Sequence, residues 1–264
     1  ASLTPKRIVG VASSQNFLFS ADGLTRQPIS EFTQGTPADR QRAPRYTELG
    51  ELVDEVNRHW RGNGSGLVFV DVTSVPDHTN DPLTHMHLHI IGKTPYGVAT
   101  ANKNPPAMSH FAVFQQLTLD PTRYGYSCSV MAGAGAVTLL RDSRYIRDGL
   151  KTIEGCFSGT LGYIATELEK GKKFSEALKE AMWLGYTETD PRADLSGLDV
   201  ARKGIVLGRT AGYNVGIEDV IRKPFIPEEY LKESEAIEDF LKRAPELDEY
   251  FQCKVAEAYA KVPK

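Results

Sequence analysis

With 264 residues, 25 % of them charged and 41 % hydrophobic, the chain has the composition of a soluble globular protein of one or two domains. A formal charge of −3 gives no field for nucleic acid or an acidic membrane surface, and no apolar run approaches the roughly 20 residues that span a bilayer. Three widely spaced cysteines, Cys128, Cys156 and Cys253, fit neither a disulfide framework nor a CxxC metal site and point to a reducing, cytoplasmic compartment.

In chain order, residues 7–12 predict a buried strand that ends in Ala12, Ser13 and Ser14. In a dinucleotide-binding sheet such a strand end meets the adenine ribose, where an acidic residue favours NAD and a basic one NADP. Neither is present, so both coenzymes stay open, beside the plain reading of a strand running into a loop. Residues 17–45 are rich in Gly, Pro and Arg and read as loop. Thr47 then caps a helix over 48–60 with Leu49, Leu52, Val53 and Val56 inward. LVFVDVTS (67–74) is a continuous apolar run of the parallel-strand kind. It ends in Thr73 and Ser74, where open α/β sheets hold their ligands.

THMHLHI carries His85, His87 and His89. As a strand all three face one way and could supply imidazoles to zinc or iron; as a helix His85 and His89 share a face. With only Asp77 and Asp81 near, a solvated or partly buried histidine face is the competing reading. GVATANKNPPA (97–107) predicts a buried strand that breaks at Asn102, barred from continuing by Pro105 and Pro106. Ala101, Asn102 and Lys103 stand at its carboxyl end. A short helix follows over 110–119, and a further strand is expected from Tyr126 to Val130. In SVMAGAGAV (129–137), Gly133 and Gly135 allow close backbone approach to a ligand, although a GAG by itself is more often a tight turn.

The second half begins with LKTIEGCFS, whose alternation predicts a half-buried strand. A helix starts near Ser158 or Thr160 and stops at Gly171; another, capped by Ser175, covers 174–184. Gly185 ends it, and an acidic turn follows with Glu188, Asp190 and Asp194. A helix then runs from Ser196 or Gly197 to Thr210, closed by Gly212, docked by Leu198, Ala201, Ile205 and Val206. On it, Asp199 and Lys203 lie four apart on one face. Such a pair alone contributes roughly 0.2–0.5 kcal/mol and is ordinarily solvated surface. Residues 221–226 read as a strand, and the charged, helical periodicity beyond them as surface helices.

Residues 185–203, GYTETDPRADLSGLDVARK, resemble the signature segment of homoserine dehydrogenases almost letter for letter. VDVTS, ATANK and FSGTLGYI resemble the family's cofactor-side strand end, its TANK or TPNK motif and its substrate-domain motif. The resemblance covers most of the chain from about Val9. It implies an α/β fold: a Rossmann-like parallel-sheet nucleotide-binding domain (1–127) and an α+β substrate-binding and dimerisation domain (128–264). The first is expected to be incomplete, since nothing like the family's GxGxxG turn precedes Arg7. The cofactor implied is NADP or NAD, with Ala12, Ser13, Ser14, Thr73, Ser74, Ala101, Asn102 and Lys103 on its side of the site. The resemblance also implies a homodimer and a monovalent cation held by carbonyls of the Ser129–Val137 loop. The family's loop has a proline after GAG; this chain has Ala136, Val137 and Thr138 there.

The reaction implied is the NAD(P)-dependent interconversion of L-aspartate 4-semialdehyde and L-homoserine. Reducing an aldehyde takes a hydride and a proton for the developing alkoxide, which a lysine ammonium both stabilises and protonates. Lys203 is the candidate, with Lys103 as second cation. Glu188 and Asp199 suit the substrate's ammonium, Asp194 supports the turn, and Gly159 and Thr160 line the pocket. Two other functions compete: a catalytically silent dimeric relative without cofactor binding, and a metal-dependent hydrolase built on the histidines.

Overall fold

A computed structural model describes residues 7–36, 43–60, 66–73, 81–232 and 234–261. Two compact units make up the chain, residues 1–128 and 129–264. Ser74 and Asp77 lie outside the described residues.

The first unit opens with β1 (Gly10–Ala12) paired antiparallel to β2 (Phe17–Phe19), Gly10 opposite Phe19. The strand expected at 7–12 is therefore short, largely exposed and outside the parallel sheet. The cause is local: Ser13 N–H donates to Asn16 O at 2.8 Å, closing a turn far too tight for a parallel crossover. Ala12, Ser13 and Ser14 thus sit at a hairpin turn. The presumed loop over 17–45 contains α1 (Arg26–Gln34), with Pro28 in its first turn, where a missing N–H costs nothing. Next comes α2 (Leu49–His59), begun at Glu48 rather than capped by Thr47: the Glu51 carboxylate reaches back to accept Thr47 N–H (2.8 Å) and Glu48 N–H (3.3 Å).

β3 (Val68–Asp71), β4 (Gly97–Thr100) and β5 (Tyr124–Gly125) form a parallel sheet in that order, with Asp71 opposite Thr100. The α/β class is the observed one. β3 is an edge strand: Asp71 is buried while Val68 and Val70 are exposed, so burial on both faces, expected from its apolar run, is not found. THMHLHI lies in α3 (Pro82–Lys93) and is not a strand. Asp81 caps this helix by accepting Leu83 N–H, and Pro82 fixes its first turn. α4 (Asn104–Met108) starts directly after the TANK segment, its prolines tolerated in the first turn, and α5 (Phe111–Leu117) follows. The strand expected over 126–130 is a 3₁₀ turn at Ser127–Ser129. Ile90, Val98, Phe114, Leu117, Tyr124 and Tyr126 form buried positions of this unit, with Val53 and Val56 of α2.

The second unit is helical among the described residues: α6 (Ala136–Tyr145), α7 (Gly159–Glu169), α8 (Phe174–Trp183), α9 (Pro191–Leu195), α10 (Leu198–Thr210), α11 (Ile237–Arg243) and α12 (Asp248–Lys261). The segments read as strands, 150–158 and 221–226, carry no strand pairing among the described residues. Alternation alone does not make a strand without a neighbour to share its hydrogen bonds. The charged C-terminal helices are more than surface cover. Phe240, Leu247 and Phe251 enter one core with Ile164, Phe174, Leu178, Leu195 and Ile226, and Phe251 stacks on Phe174 at 4.5 Å. Ser175 is not the cap of α8; Lys173 holds that position, and Asp248 accepts both Ser175 N–H (2.8 Å) and its hydroxyl (3.0 Å). No described helix is long and apolar enough to cross a membrane.

One side chain closes the first unit's α/β crossover. The Arg123 guanidinium donates to Thr94 O (2.6 Å), Tyr96 O (2.7 Å) and Ile91 O (3.1 Å), satisfying carbonyls that the end of α3 leaves without partners. Replacing it by methionine keeps the apolar stem and removes the charged donors. Arg123→Met is expected to lower stability by about 2–3 kcal/mol in urea unfolding; an unchanged midpoint contradicts the role.

Candidate active site

In the second unit, the acidic segment is folded by its own polar groups. α8 ends at Leu184, with Gly185 in the left-handed region at φ 72° and Tyr186 N–H reaching back to Ala181 O at 2.9 Å, the usual closure of a helix on glycine. Asp190 caps α9 by accepting Arg192 N–H at 3.0 Å, an additional short helix where a turn was expected. Its carboxylate also takes the Arg192 side chain (2.6 Å), which donates in turn to Lys232 O and Glu235 O. Gly197, at φ 75°, turns α9 into α10. The helix expected to Thr210 is observed, with Ala201, Ile205 and Val206 buried and Leu198 partly so.

Asp194 holds these pieces together. It is 8 % exposed. One oxygen accepts Glu188 N–H at 2.9 Å, and the other lies 3.0 Å from the Thr160 hydroxyl at the start of α7. Thr160 Oγ1 is also 2.5 Å from Tyr186 O. A hydroxyl has one hydrogen to share between these two acceptors, and protonation of Asp194 would supply a second. Burial pushes the Asp194 pKa up, with the charges of Glu188 and Asp199 adding to it, so three carboxylates converge on one spot. Ser158 caps α7 through Leu161 N–H, and Gly159 beside it opens onto empty space where a Cβ would meet nothing.

Lys203 faces the same turn of α10 as Asp199. Its Nζ is 2.7 Å from Asp199 Oδ2 and donates to Phe157 O at 2.6 Å. An ammonium has three donors, which leaves one for an incoming acceptor. The side chain is 13 % exposed, so the pair is partly desolvated and not the solvated surface pair that spacing alone favours. Glu188, Asp194, Asp199, Thr160, Gly159 and Lys203 thus belong to one unit, with five of them linked by bonds or field.

In the first unit, Thr73 and Asn102 are joined at the ends of β3 and β4: Asn102 Nδ2 donates to Thr73 Oγ1 at 3.1 Å. Ala101 is exposed and Lys103, half-buried, begins α4. The histidines do not converge. His85 is exposed, His87 is buried against Asp71 and Tyr124, and His89 bonds Asp54 at 2.8 Å. No group of three metal-ligating side chains occurs among the described residues. Asp71, Thr100, His87 and Tyr124 form a buried polar network that sequence reading missed; the one signal was an acid inside the apolar run VFVDV. The loop after Val130 passes through left-handed Met131, Ala132, Gly133 and Gly135. Its Met131, Ala132 and Ala134 side chains offer no oxygen, so a cation there would rest on backbone carbonyls alone.

Because burial raises the Asp194 pKa, the folded chain prefers its protonated form. That stabilisation is complete below the ordinary carboxylate value of about 3.9 and is lost as pH rises through the raised folded value. Asparagine mimics the protonated acid, its carbonyl taking Glu188 N–H and its amide donating to Thr160. Asp194→Asn is therefore expected to gain stability relative to the parent as pH rises from 4 to 7, in denaturant midpoints measured across that range. Parallel pH profiles contradict the assignment.

Residues 136–261 match the family described as homoserine dehydrogenase. The chain is 33 % identical over 249 residues to a maize chloroplastic bifunctional aspartokinase/homoserine dehydrogenase, covering 92 % of this chain and 25 % of that protein. It therefore spans a quarter of that relative's length. A crystal structure of a Candida auris protein of unknown function is similar with a TM-score of 0.74 at 27 % identity, over 98 % of this chain and 71 % of that one. A hyperthermophilic archaeal homoserine dehydrogenase in complex with NADPH shares the fold, with a TM-score of 0.59 at 22 % identity over 80 % and 64 % of the two chains. The chain belongs to the homoserine dehydrogenase family.

Proposed function

We propose that this chain carries out the substrate chemistry of a homoserine dehydrogenase, the NAD(P)-dependent interconversion of L-homoserine and L-aspartate 4-semialdehyde. The observation that carries the reading is the Lys203 ammonium, tethered by Asp199 and Phe157 O beside Glu188 and Asp194. A bound nicotinamide supplies or accepts the hydride. In the reducing direction, Lys203 stabilises charge on the aldehyde oxygen and gives it a proton; in the oxidising direction, its amine takes the hydroxyl proton. Glu188 and Asp199 hold the substrate's ammonium, and Thr160 and Gly159 shape the pocket beside them. Lys103, in the first unit, acts as the second cation.

The strand ends of the first unit fit the nicotinamide side of NADP or NAD: Thr73 and Asn102 offer a hydroxyl and an amide, and Lys103 a positive charge. Ala12, Ser13 and Ser14, at the β1–β2 turn, are assigned to the ribose end. A homodimer is supported by the backbone around Ile153, which has no strand pairing among the described residues, and by Ile221, 91 % exposed; a second copy would supply strand neighbours. Three exposed thiols, none in a disulfide, suit a reducing compartment such as the cytoplasm.

Homoserine-dependent reduction of NAD or NADP at alkaline pH tests the function. Lys203→Met is expected to lower kcat by about 10²–10⁴-fold with a smaller change in KM for homoserine. Full turnover by both Lys203→Met and Lys103→Met removes the mechanism, and no homoserine-dependent reduction by the unsubstituted chain removes the function.

A further inference from the structure

The buried network of the first unit joins the two strand ends that face the proposed cofactor. Asp71 is 3 % exposed, and a carboxylate removed from water costs several kcal/mol unless donors surround it. Oδ1 accepts Thr73 N–H (3.0 Å) and its hydroxyl (2.7 Å), and Oδ2 accepts the Thr100 hydroxyl (3.0 Å). Thr100 Oγ1 accepts Asn102 N–H (2.9 Å), and Asn102 Oδ1 accepts Asn104 N–H (2.9 Å). One carboxylate therefore sets the exit of β3 and, through Thr100, the whole Asn102–Asn104 turn.

These donors all lie on the strand-end side. From α3 comes His87, fully buried, with Nε2 3.2 Å from Asp71 Oδ2. The approach is a short polar contact without the alignment of a good hydrogen bond. Its Nδ1 is 3.0 Å from the Tyr124 hydroxyl of β5. Burial pushes the Tyr124 pKa well above its usual range, so the phenol keeps its proton and donates to Nδ1. The imidazole hydrogen then stands on Nε2, toward Asp71. The neighbouring acid, Asp81, has its pKa raised by burial and by Asp71, while donors including His87 and Thr73 hold that of Asp71 down against burial. The two acids are driven apart, and Asp71 is the more readily ionised of the pair. His85, the remaining titratable group near Asp81, is exposed.

We propose that His87 is a positioning residue for the cofactor: it braces Asp71 from behind, and through Asp71 it fixes Thr73 and the Asn102–Lys103 turn. The cofactor part of this rests on the dehydrogenase reading; the bracing part does not. Leucine at this position fills space without a polar edge, whereas the side-chain amide of glutamine reaches Asp71 as Nε2 does.

Backbone hydrogen exchange and steady-state kinetics of Leu and Gln variants test both parts. His87→Leu is expected to speed exchange about tenfold or more at the amides of Thr73, Asn102 and Asn104, leaving Val98 and Phe114 slow. It is also expected to raise KM for NADPH or NADH by about tenfold, with a smaller effect on kcat. His87→Gln is expected to restore both. Exchange that rises equally at Val98 and Phe114, or glutamine no better than leucine, overturns the brace. Local exchange with unchanged cofactor KM overturns the positioning role. If the unsubstituted chain has no NAD(P)-linked activity, the dehydrogenase reading and the cofactor role fall together, while exchange still decides the brace. Where the leucine variant does not fold, Tyr124→Phe, which removes one hydroxyl, is expected to move the same three amides by less, and no movement there overturns the proposal.

Discussion

The second unit depends on one buried acid. Asp194 links the start of α7 through Thr160, the acidic turn through Glu188 N–H, and α9, on which it rides. Burial raises its pKa, and the charges of Glu188 and Asp199 add to that shift, because a further charge is costly where two carboxylates already stand.

The first unit uses a similar device with the opposite pKa shift. Asp71 is buried at the end of β3 and ties that exit to the turn after β4, but it is surrounded by donors and stays ionised. In both units a carboxylate fixes loops that end regular elements. The side chains offered to ligands are then carried by loops whose backbone is already satisfied. The difference follows from surroundings: hydroxyls, an amide N–H and an imidazole at Asp71, two carboxylates at Asp194.

Much of the candidate site was legible because its signals are local. Gly185 closes a helix in left-handed backbone, and four-residue spacing places Asp199 beside Lys203, whereas the short helix opened by Pro191 was read as a turn. The α/β class was legible from LVFVDVTS and GVAT, although Asp71 alone of the four β3 residues is buried. What stayed hidden depends on distant partners. HxHxH has equal meaning on a strand or a helix until Asp81–Pro82 is recognised as a helix start. The alternation around Ile153 predicts a strand, yet a strand exists only where another backbone lies beside it. Residues 7–12 look like a sheet strand, but the Ser13–Asn16 turn decides their partner. The Asp71–His87–Tyr124 network joins residues 16 and 37 positions apart, and no periodicity reports such a meeting.

The central claim is that carboxylates of the second unit grip the substrate's ammonium while Lys203 addresses its oxygen. Calorimetric binding of L-homoserine, compared with 4-hydroxybutyrate, which differs only in lacking the amine, tests it most directly. Loss of a charge-assisted grip of about 2–3 kcal/mol predicts binding weaker by about 30–150-fold for the analogue. Equal affinity for the two contradicts the account.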